Sequence, residues 1–270
     1  MAIKIGGCFS GASDVITSGG VTKAMSDVTL GERVLGMDEE GRLVYTEVIA
    51  FLDRDGEQSG YFYTLTTDRG HSVTLTAKHL IYVTDSNVTS ADHDVWARGE
   101  EKSLDGGGFA VDRLHTLFAE EVQVGHVIMV VEDDGRPISG TSTTSTSSSS
   151  FGGGGARDTF ARMRPARVTH VQAGVREGVY APLTATGTIV VDGVLASCYA
   201  VINNPTLAHA VFAPMRGWHE LSALLPSWLS PLSSLNTQVD SLPQKGVHLY
   251  AKLLYELGSL LLSRNVLYVP

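Results

Sequence analysis

Gly6-Gly7-Cys8-Phe9, near the start of the chain, and Leu75-Thr76-Ala77-Lys78-His79, about seventy residues later, are the two stretches around which this sequence is organised. The first places a cysteine directly after a flexible Gly-Gly pair, and the second is a Thr-x-x-His that follows a β-rich run. A thiol next to a glycyl peptide bond, with a distant threonine and histidine, is what a self-cleaving domain requires. The pattern predicts that the protein acts on its own backbone, at the bond between Gly7 and Cys8.

Cleavage of a peptide bond by an internal thiol needs three kinds of help, because an amide is a poor acyl donor. The nucleophile must lie against the carbonyl, and adjacency supplies this for Cys8. The departing amine needs a proton, which a histidine can give near neutral pH. The developing oxyanion or strained amide needs donors such as a hydroxyl or a backbone N–H. We therefore predict Cys8 as the nucleophile, assisted by His79 and Thr76, although most of the nine histidines are expected to be structural or surface residues.

Composition narrows the classes of protein to which the chain can belong. Its 270 residues are 43% apolar and 18% charged, enough for a substantial core in one large or two small domains. A net charge of −9 argues against nucleic acid as the main partner, because phosphate binding needs a basic face. No apolar run is long enough for a transmembrane helix, and the first residues lack the apolar core of a signal peptide. Residues 1–7 are expected to be the remainder of an upstream segment or an artificial leader.

Two cysteines, Cys8 and Cys198, do not make a disulfide framework. They could pair with each other or serve as two separate thiols. A metal site built from Cys8, His79 and Cys198 is disfavoured because the ligand spacing is irregular.

Short β-branched segments separated by glycine and aspartate turns predict a mainly β fold over residues 8–83. The predicted strands include 28–36, 43–52, 61–67 and 72–76, with 53–56 as the turn that closes the long second one.

Part of this pattern recurs later in the chain. Val28 and Gly31, with Gly41-Arg42 ten residues past the glycine, reappear 94 residues on as Val122, Gly125 and Gly135-Arg136. Residues 48–51 correspond to 168–171 after a larger offset, and 63–66 correspond loosely to 182–184. A duplicated β-unit predicts two similar halves around a pseudo-two-fold axis. Chance similarity of valine- and glycine-rich hairpins is the alternative.

Three further segments complete the organisation of the chain. Residues from about 137 to 160, rich in Ser, Thr and Gly, are predicted to be a disordered insertion within a hairpin. Asn87, in a polar loop over 84–108, begins a glycosylation sequon that matters only in a secreted protein. Residues 247–263 carry leucines at helical spacing and predict an amphipathic helix, either docked on the β-domain or facing a sterol or membrane.

Four segments together closely resemble the C-terminal autoprocessing domain of hedgehog proteins, which belongs to the Hint superfamily shared with inteins. They are Gly7-Cys8-Phe9, 51–55, Thr76-Ala77-Lys78-His79-Leu80 and 196–200. The resemblance runs from Gly7 to about Pro214 and implies a pseudo-two-fold Hint β-fold over 8–200 with a C-terminal helical extension over 201–270. It implies that Cys8 attacks the Gly7 carbonyl to give a thioester. The 3β-hydroxyl of cholesterol, a substrate and not a cofactor, would then take the upstream segment as an ester.

The resemblance also implies roles for two residues that the chemistry alone does not single out. Asp53 would be the base for the sterol hydroxyl; the alternative is an aspartate that only caps a turn. Cys198 would lie near the nucleophile and pair or exchange with it; the alternative is a buried core thiol. The family keeps its sterol-recognition segment beyond about residue 201, so 201–270 is expected to hold cholesterol against a membrane surface. The resemblance further implies an upstream signalling domain and the secretory pathway.

Self-splicing is not expected, because no His-Asn for the downstream junction occurs in the chain. Two alternatives to sterol transfer remain open. One is a Hint-like protease that hydrolyses its thioester without sterol, and the other is a non-catalytic, secreted lipid-binding module.

Overall fold

The computed structural model describes residues 7–84, 114–137, 160–200, 211–214, 216–217 and 246–248. Most of these residues lie in antiparallel β-strands, so the predicted mainly β fold is confirmed. The described strands are β1 (Phe9–Ser10), β2 (Asp14–Ile16), β3 (Thr22–Ala24), β4 (Arg33–Met37), β5 (Leu43–Thr67), β6 (Ser72–Thr76), β7 (His79–Thr84), β8 (Leu114–Phe118), β9 (Val127–Pro137), β10 (Phe160–Thr184), β11 (Thr188–Val191), β12 (Val194–Ala200) and β13 (Gly246–Val247).

Two strands of 25 residues each, β5 and β10, form the axis of the fold. They pair antiparallel along most of their length. Together with nine shorter strands they also lie on one continuous hydrogen-bonded path, β13-β5-β6-β1-β10-β9-β7-β12-β11-β2-β3. Strand β4 pairs with β5, and β8 pairs with β7. Because β5 also pairs with β10, and β9 with β12, the path closes on itself and the sheet curls around a shared interior.

The predicted duplication is present in the backbone hydrogen bonds. The Gly31 N–H donates to the Val48 carbonyl at 2.9 Å, and the Gly125 N–H donates to the Val168 carbonyl at 2.8 Å. Both glycines have positive φ angles, 79° and 99°, which favour glycine at these turns. On the paired long strands Val48 lies opposite Thr184 and Val168 lies opposite Thr67. This reciprocal pairing is what a two-fold axis between the halves produces.

The repeat begins earlier than the sequence pattern indicated. Phe9 pairs with Leu75 across the axis, and their outer partners are Tyr180 and Tyr63, on the two long strands. Residues 10–13 and 76–79 are therefore equivalent turns. A 3-10 turn contacts each of them: the Ser26 N–H donates to the Gly11 carbonyl, and the Glu120 N–H donates to the Ala77 carbonyl.

The interior also follows the two-fold relation. The main core is contributed by both long strands and the short strands around them. A second, smaller core contains the equivalent pairs Leu35 with Met129 and Met37 with Val131, all buried. Burial of these matched side chains stabilises both halves together, because neither half could cover its own apolar face alone.

Two local predictions are wrong. Residues 53–56 do not form a turn, because β5 continues through them with Asp53 opposite Ala181 and Arg54 opposite Tyr180. Pairing overrides the local turn tendency, and the Arg54 guanidinium lies 4.5 Å from the centre of the Phe51 ring. Val247 is not helical but belongs to β13, opposite Asp53.

Other predictions fall outside the described residues. The insertion at 138–159 connects two paired strands, since Pro137 lies opposite Phe160, and its predicted disorder lies outside the description. The Asn87 sequon and the helix predicted after Val247 lie outside it as well. Within the described residues no helix is long and apolar enough to cross a membrane.

Candidate active site

Cys8 lies immediately before β1, and both of its backbone polar groups bond to Thr76. The Cys8 N–H donates to Thr76 Oγ1 at 2.9 Å, and the Thr76 N–H donates to the Cys8 carbonyl at 2.9 Å. The cysteine is 3% exposed. The threonine hydroxyl therefore accepts a hydrogen bond from the nitrogen that would leave if the Gly7–Cys8 bond were cleaved.

His79 begins β7 on the other side of the same peptide bond. Its ring is fully buried and tilted against Phe9, with the ring centres 4.2 Å apart. Its Nε2 lies 2.8 Å from the Ser197 carbonyl, which can only accept, so Nε2 carries a proton. Nδ1 therefore holds the lone pair in the neutral ring, and a Cβ built on Gly7 would lie 3.5 Å from it.

Burial decides the charge of this histidine. It lowers the pKa of His79 from 6.5 to about 4, while hydrogen bonding to the Ser197 and Gly7 backbone opposes the shift. Nδ1 makes no hydrogen bond of normal geometry within the described residues, although the Gly7 backbone lies close enough to affect the pKa. The ring is neutral at pH 7, ready to accept a proton at Nδ1 and pass it to a group at the Gly7–Cys8 bond.

The Cys8 thiol is held in its neutral form. Burial raises its pKa well above the ordinary value of 9.0, and the negative charge of Asp53 raises it further. Phe9 pairs with Tyr180, so Cys8, one residue earlier, lies opposite Ala181, which pairs with Asp53 on its other side. The small alanine between them leaves the thiol and the carboxylate on the same face of the sheet, two strands or about 9–10 Å apart at the backbone.

Asp53 is 4% exposed and lies in the middle of β5. On its other side it meets β13: Val247 lies opposite Asp53, and the His248 N–H donates to the Leu52 carbonyl at 2.9 Å. The segment that follows residue 200 therefore returns to the backbone of this carboxylate.

Cys198 is buried in β12, one residue after Ser197. Its Sγ lies 3.3 Å from the Thr184 hydroxyl, and its N–H donates to the Gly187 carbonyl at 2.9 Å. Burial raises the pKa of its thiol to about 11, and hydrogen bonding with Thr184 opposes the shift. Both cysteines are free thiols, so no disulfide joins Cys8 to Cys198 in this structure.

The structure brings Gly7, Cys8, Thr76 and His79 into direct contact and places Asp53 within electrostatic reach of the thiol. Two supporting residues were not assigned roles from the sequence, although both lie in the quoted segment 196–200. Ser197 binds His79 through its carbonyl, a role that any residue type could fill, so the sequence carries no signal for it. Ala200 lies against Gly7.

The contacts that Lys78 makes from the Thr76–His79 turn were also not predicted. The Lys78 ammonium forms an ion pair with Glu120 and lies 5.3 Å from the centre of the Phe118 ring. No cluster of potential metal ligands occurs among the described residues.

The sequence model of the Hint module family matches residues 1–149 and 155–263. The chain is 34% identical over 272 residues to Sonic hedgehog protein of Danio rerio, covering 99% of this chain and 52% of that protein. It is also 34% identical over 267 residues to Protein hedgehog of Drosophila virilis, covering 96% of this chain and 44% of that protein. The chain thus spans about half the length of the curated relatives it matches.

Solved structures of inteins are looser matches. A DnaB intein from Synechocystis sp. PCC 6803 is 14% identical with a TM-score of 0.43, over 71% of this chain and 97% of the intein. A DnaX mini intein from Spirulina platensis is 15% identical with a TM-score of 0.44, over 71% of this chain and 98% of the intein.

Proposed function

The chain belongs to the Hint module family, and from that premise we propose that it cleaves its own Gly7–Cys8 bond and transfers the upstream segment to the hydroxyl of cholesterol. Family membership and the hedgehog relatives support self-cleaving autoprocessing. The transfer to a sterol is the finer part of the proposal and depends on the arrangement around Asp53.

The first step moves the acyl group from nitrogen to sulfur. The Cys8 thiol gives its proton to Nδ1 of the neutral His79 ring and attacks the Gly7 carbonyl. The C–N bond then breaks, and the Cys8 amine receives a proton from His79. The balance is one amide and one thiol converted to one thioester and one amine. The bond from the Cys8 N–H to Thr76 Oγ1, at 2.9 Å, fixes the orientation of the leaving nitrogen.

The low pKa of His79 suits this step. A neutral ring accepts a proton at Nδ1, and an imidazolium with a pKa of about 4 gives that proton up readily to the departing amine. The Ser197 carbonyl holds the other nitrogen as a donor, so the same ring atom both takes and returns the proton.

The second step needs a base, because a sterol hydroxyl is neutral and a poor nucleophile. Asp53 takes the hydroxyl proton as the oxygen attacks the thioester, the C–S bond breaks, and the Cys8 sulfur leaves. Two observations support this role. The carboxylate is buried on the thiol's side of the sheet, and β13 brings the segment beyond residue 200 to its backbone.

One observation carries the proposal: Thr76 contacts the nitrogen side and His79 the carbonyl side of the peptide bond that precedes the Cys8 thiol. An arrangement of this kind has no evident structural purpose, since a buried histidine nitrogen without a regular hydrogen bond costs stability.

The experiment is intact mass spectrometry of the purified chain, with and without dithiothreitol and with and without cholesterol in detergent. Dithiothreitol should remove residues 1–7 by attacking the thioester. Cholesterol should release the same peptide with the mass of the sterol added and one water lost. Cys8→Ala, as control, should keep its full mass under every condition.

Each other outcome has a defined meaning. Release that is equally fast without cholesterol, giving a free carboxylate, would replace sterol transfer with thioester hydrolysis. An unchanged mass in dithiothreitol would overturn autoprocessing and favour a non-catalytic binding module.

The natural setting follows from the same proposal. An upstream signalling domain in the precursor would be the acyl donor, and 201–270 would bring the sterol from a membrane surface in the secretory pathway.

A further inference from the structure

Two of the last four residues of β12 contact the active site, and the two between them hold the strand in place. The Ser197 carbonyl binds His79, and Cys198 bonds to Thr184. Tyr199 stacks on the ring of Phe212, with ring centres 5.5 Å apart. Its hydroxyl accepts a hydrogen bond at 2.7 Å from Arg216. Ala200 lies opposite His79 and against Gly7.

The contact between Ala200 and Gly7 leaves no room for a side chain at position 7. A Cβ built on Gly7 would lie 1.7 Å from the Ala200 Cβ and 3.1 Å from the Ala200 Cα. Carbon atoms in contact normally stay about 3.5–4.0 Å apart. The close approach of Ala200 therefore requires glycine at position 7.

Ala200 cannot easily move aside, because β12 is held in place up to this residue. It pairs with His79, and the residues immediately before it are fixed by the Cys198 N–H bond to the Gly187 carbonyl and by the Tyr199 ring. A side chain at position 7 would instead displace the Gly7 carbonyl from the Cys8 thiol and from His79 Nδ1. A displacement of about 1 Å at a reacting centre costs on the order of 100-fold in rate.

We propose that Ala200 is the specificity-determining residue for the acyl donor, and that its methyl group restricts the chain to glycyl donors. The inference rests on the proposed function and deepens it. A glycyl thioester also lacks a branch next to its carbonyl, so a bulky secondary alcohol can approach it more easily.

The test measures the penalty of Gly7→Ala in three backgrounds, as the rate at which dithiothreitol releases residues 1–7. In the otherwise native chain we expect G7A to slow release by about 100-fold. In an Ala200→Gly background the methyl group is gone, and we expect the same substitution to slow release by less than about 10-fold.

The third background, Ala196→Gly, is the matched control. Ala196 lies in the same strand, is fully buried and pairs with Ile81. Its replacement adds the same backbone freedom without opening space beside Gly7. We expect the G7A penalty to remain at about 100-fold there. Circular dichroism checks that each variant is folded; a G7A chain that folds only when Ala200→Gly is also present supports the clash directly.

Two results would overturn the proposal: a G7A chain that releases its peptide as fast as the native chain, or a penalty that stays the same in the Ala200→Gly background. A native chain that releases nothing refutes autoprocessing and not the steric claim. The claim is then decided by thermal unfolding in a Cys8→Ala background. The steric claim is supported if G7A lowers Tm less when Ala200→Gly is also present. It is refuted if G7A lowers Tm equally with and without Ala200→Gly.

Discussion

Residues 10–13 and 76–79 occupy equivalent turns of the two halves, yet only the second turn supplies groups for catalysis. Ser10-Gly11-Ala12-Ser13 stands in the first half where Thr76-Ala77-Lys78-His79 stands in the second. In both, a 3-10 turn donates a backbone hydrogen bond to the second residue. The first half supplies the nucleophile immediately before the strand that leads to its turn, and the second supplies the hydroxyl and the imidazole. Duplication thus provides one backbone frame, and a few side chains make its two copies different.

His79→Ser gives the second turn the side chain that the first turn has at Ser13. His79→Ser should lower dithiothreitol-dependent release of residues 1–7 by about 1,000-fold, because the departing amine loses its proton donor. Release is followed by intact mass, with His79→Gln as a variant that fills more of the buried space. Release by either variant at more than about a tenth of the native rate would remove His79 from the chemistry.

Asp53 extends the comparison to the long strands. By the reciprocal pairing of β5 with β10, Asp53 opposite Ala181 corresponds to Gln172 opposite Thr64, but Gln172 is exposed. Asp53→Asn should slow cholesterol-dependent release by about 100-fold while leaving dithiothreitol-dependent release active, because only the sterol hydroxyl needs the base.

Gln172→Ala is the control for Asp53→Asn, and it should leave both release rates within about twofold of the native chain, since exposed substitutions usually have small effects. Equal losses of both kinds of release in Asp53→Asn would assign Asp53 to the first step or to folding instead.

These residues also indicate how far sequence reasoning extends. Cys8, Thr76 and His79 can be predicted because their chemistry requires particular side chains, and the Val–Gly repeat reveals the duplication. The turns at 10–13 and 76–79 share almost no side chains, so their equivalence emerges only from backbone hydrogen bonds. The Ser197 carbonyl and the Ala200 methyl act through main-chain position and size. Residues 53–56 read as a turn locally, and pairing with β10 makes them strand.

The position of His79 predicts a pH dependence of stability that its counterpart Ser13 cannot have. Its pKa is about 4 in the folded chain and near 6.5 when unfolded. The unfolded state therefore binds the extra proton between these values, so stability falls as pH drops from about 6.5 to about 4 and is unaffected above that window. Between pH 7.5 and 5 the loss should be about 2 kcal/mol.

Urea unfolding of the native chain and of His79→Gln at both pH values measures this loss as a difference. The native chain should lose about 2 kcal/mol more than the variant, which has no imidazole to protonate. Equal losses would mean that the imidazole is not buried in its neutral form.

Changes at the second 3-10 turn should alter the release rate least. Glu120 occupies there the position that Ser26 has in the first 3-10 turn. Glu120 adds to the shared backbone bond an ion pair with Lys78, with side chains 31% and 17% exposed. Partly exposed pairs contribute about 0.2–1 kcal/mol, so Glu120→Gln and Lys78→Met should each slow dithiothreitol-dependent release by at most about fivefold. Since they break the same pair, the double variant should be no slower than the slower single one.

Lys23→Met removes a comparable pair with Glu32 and serves as the matched control, with release unchanged. Additive losses would mean that Lys78 and Glu120 act on the Thr76–His79 turn separately.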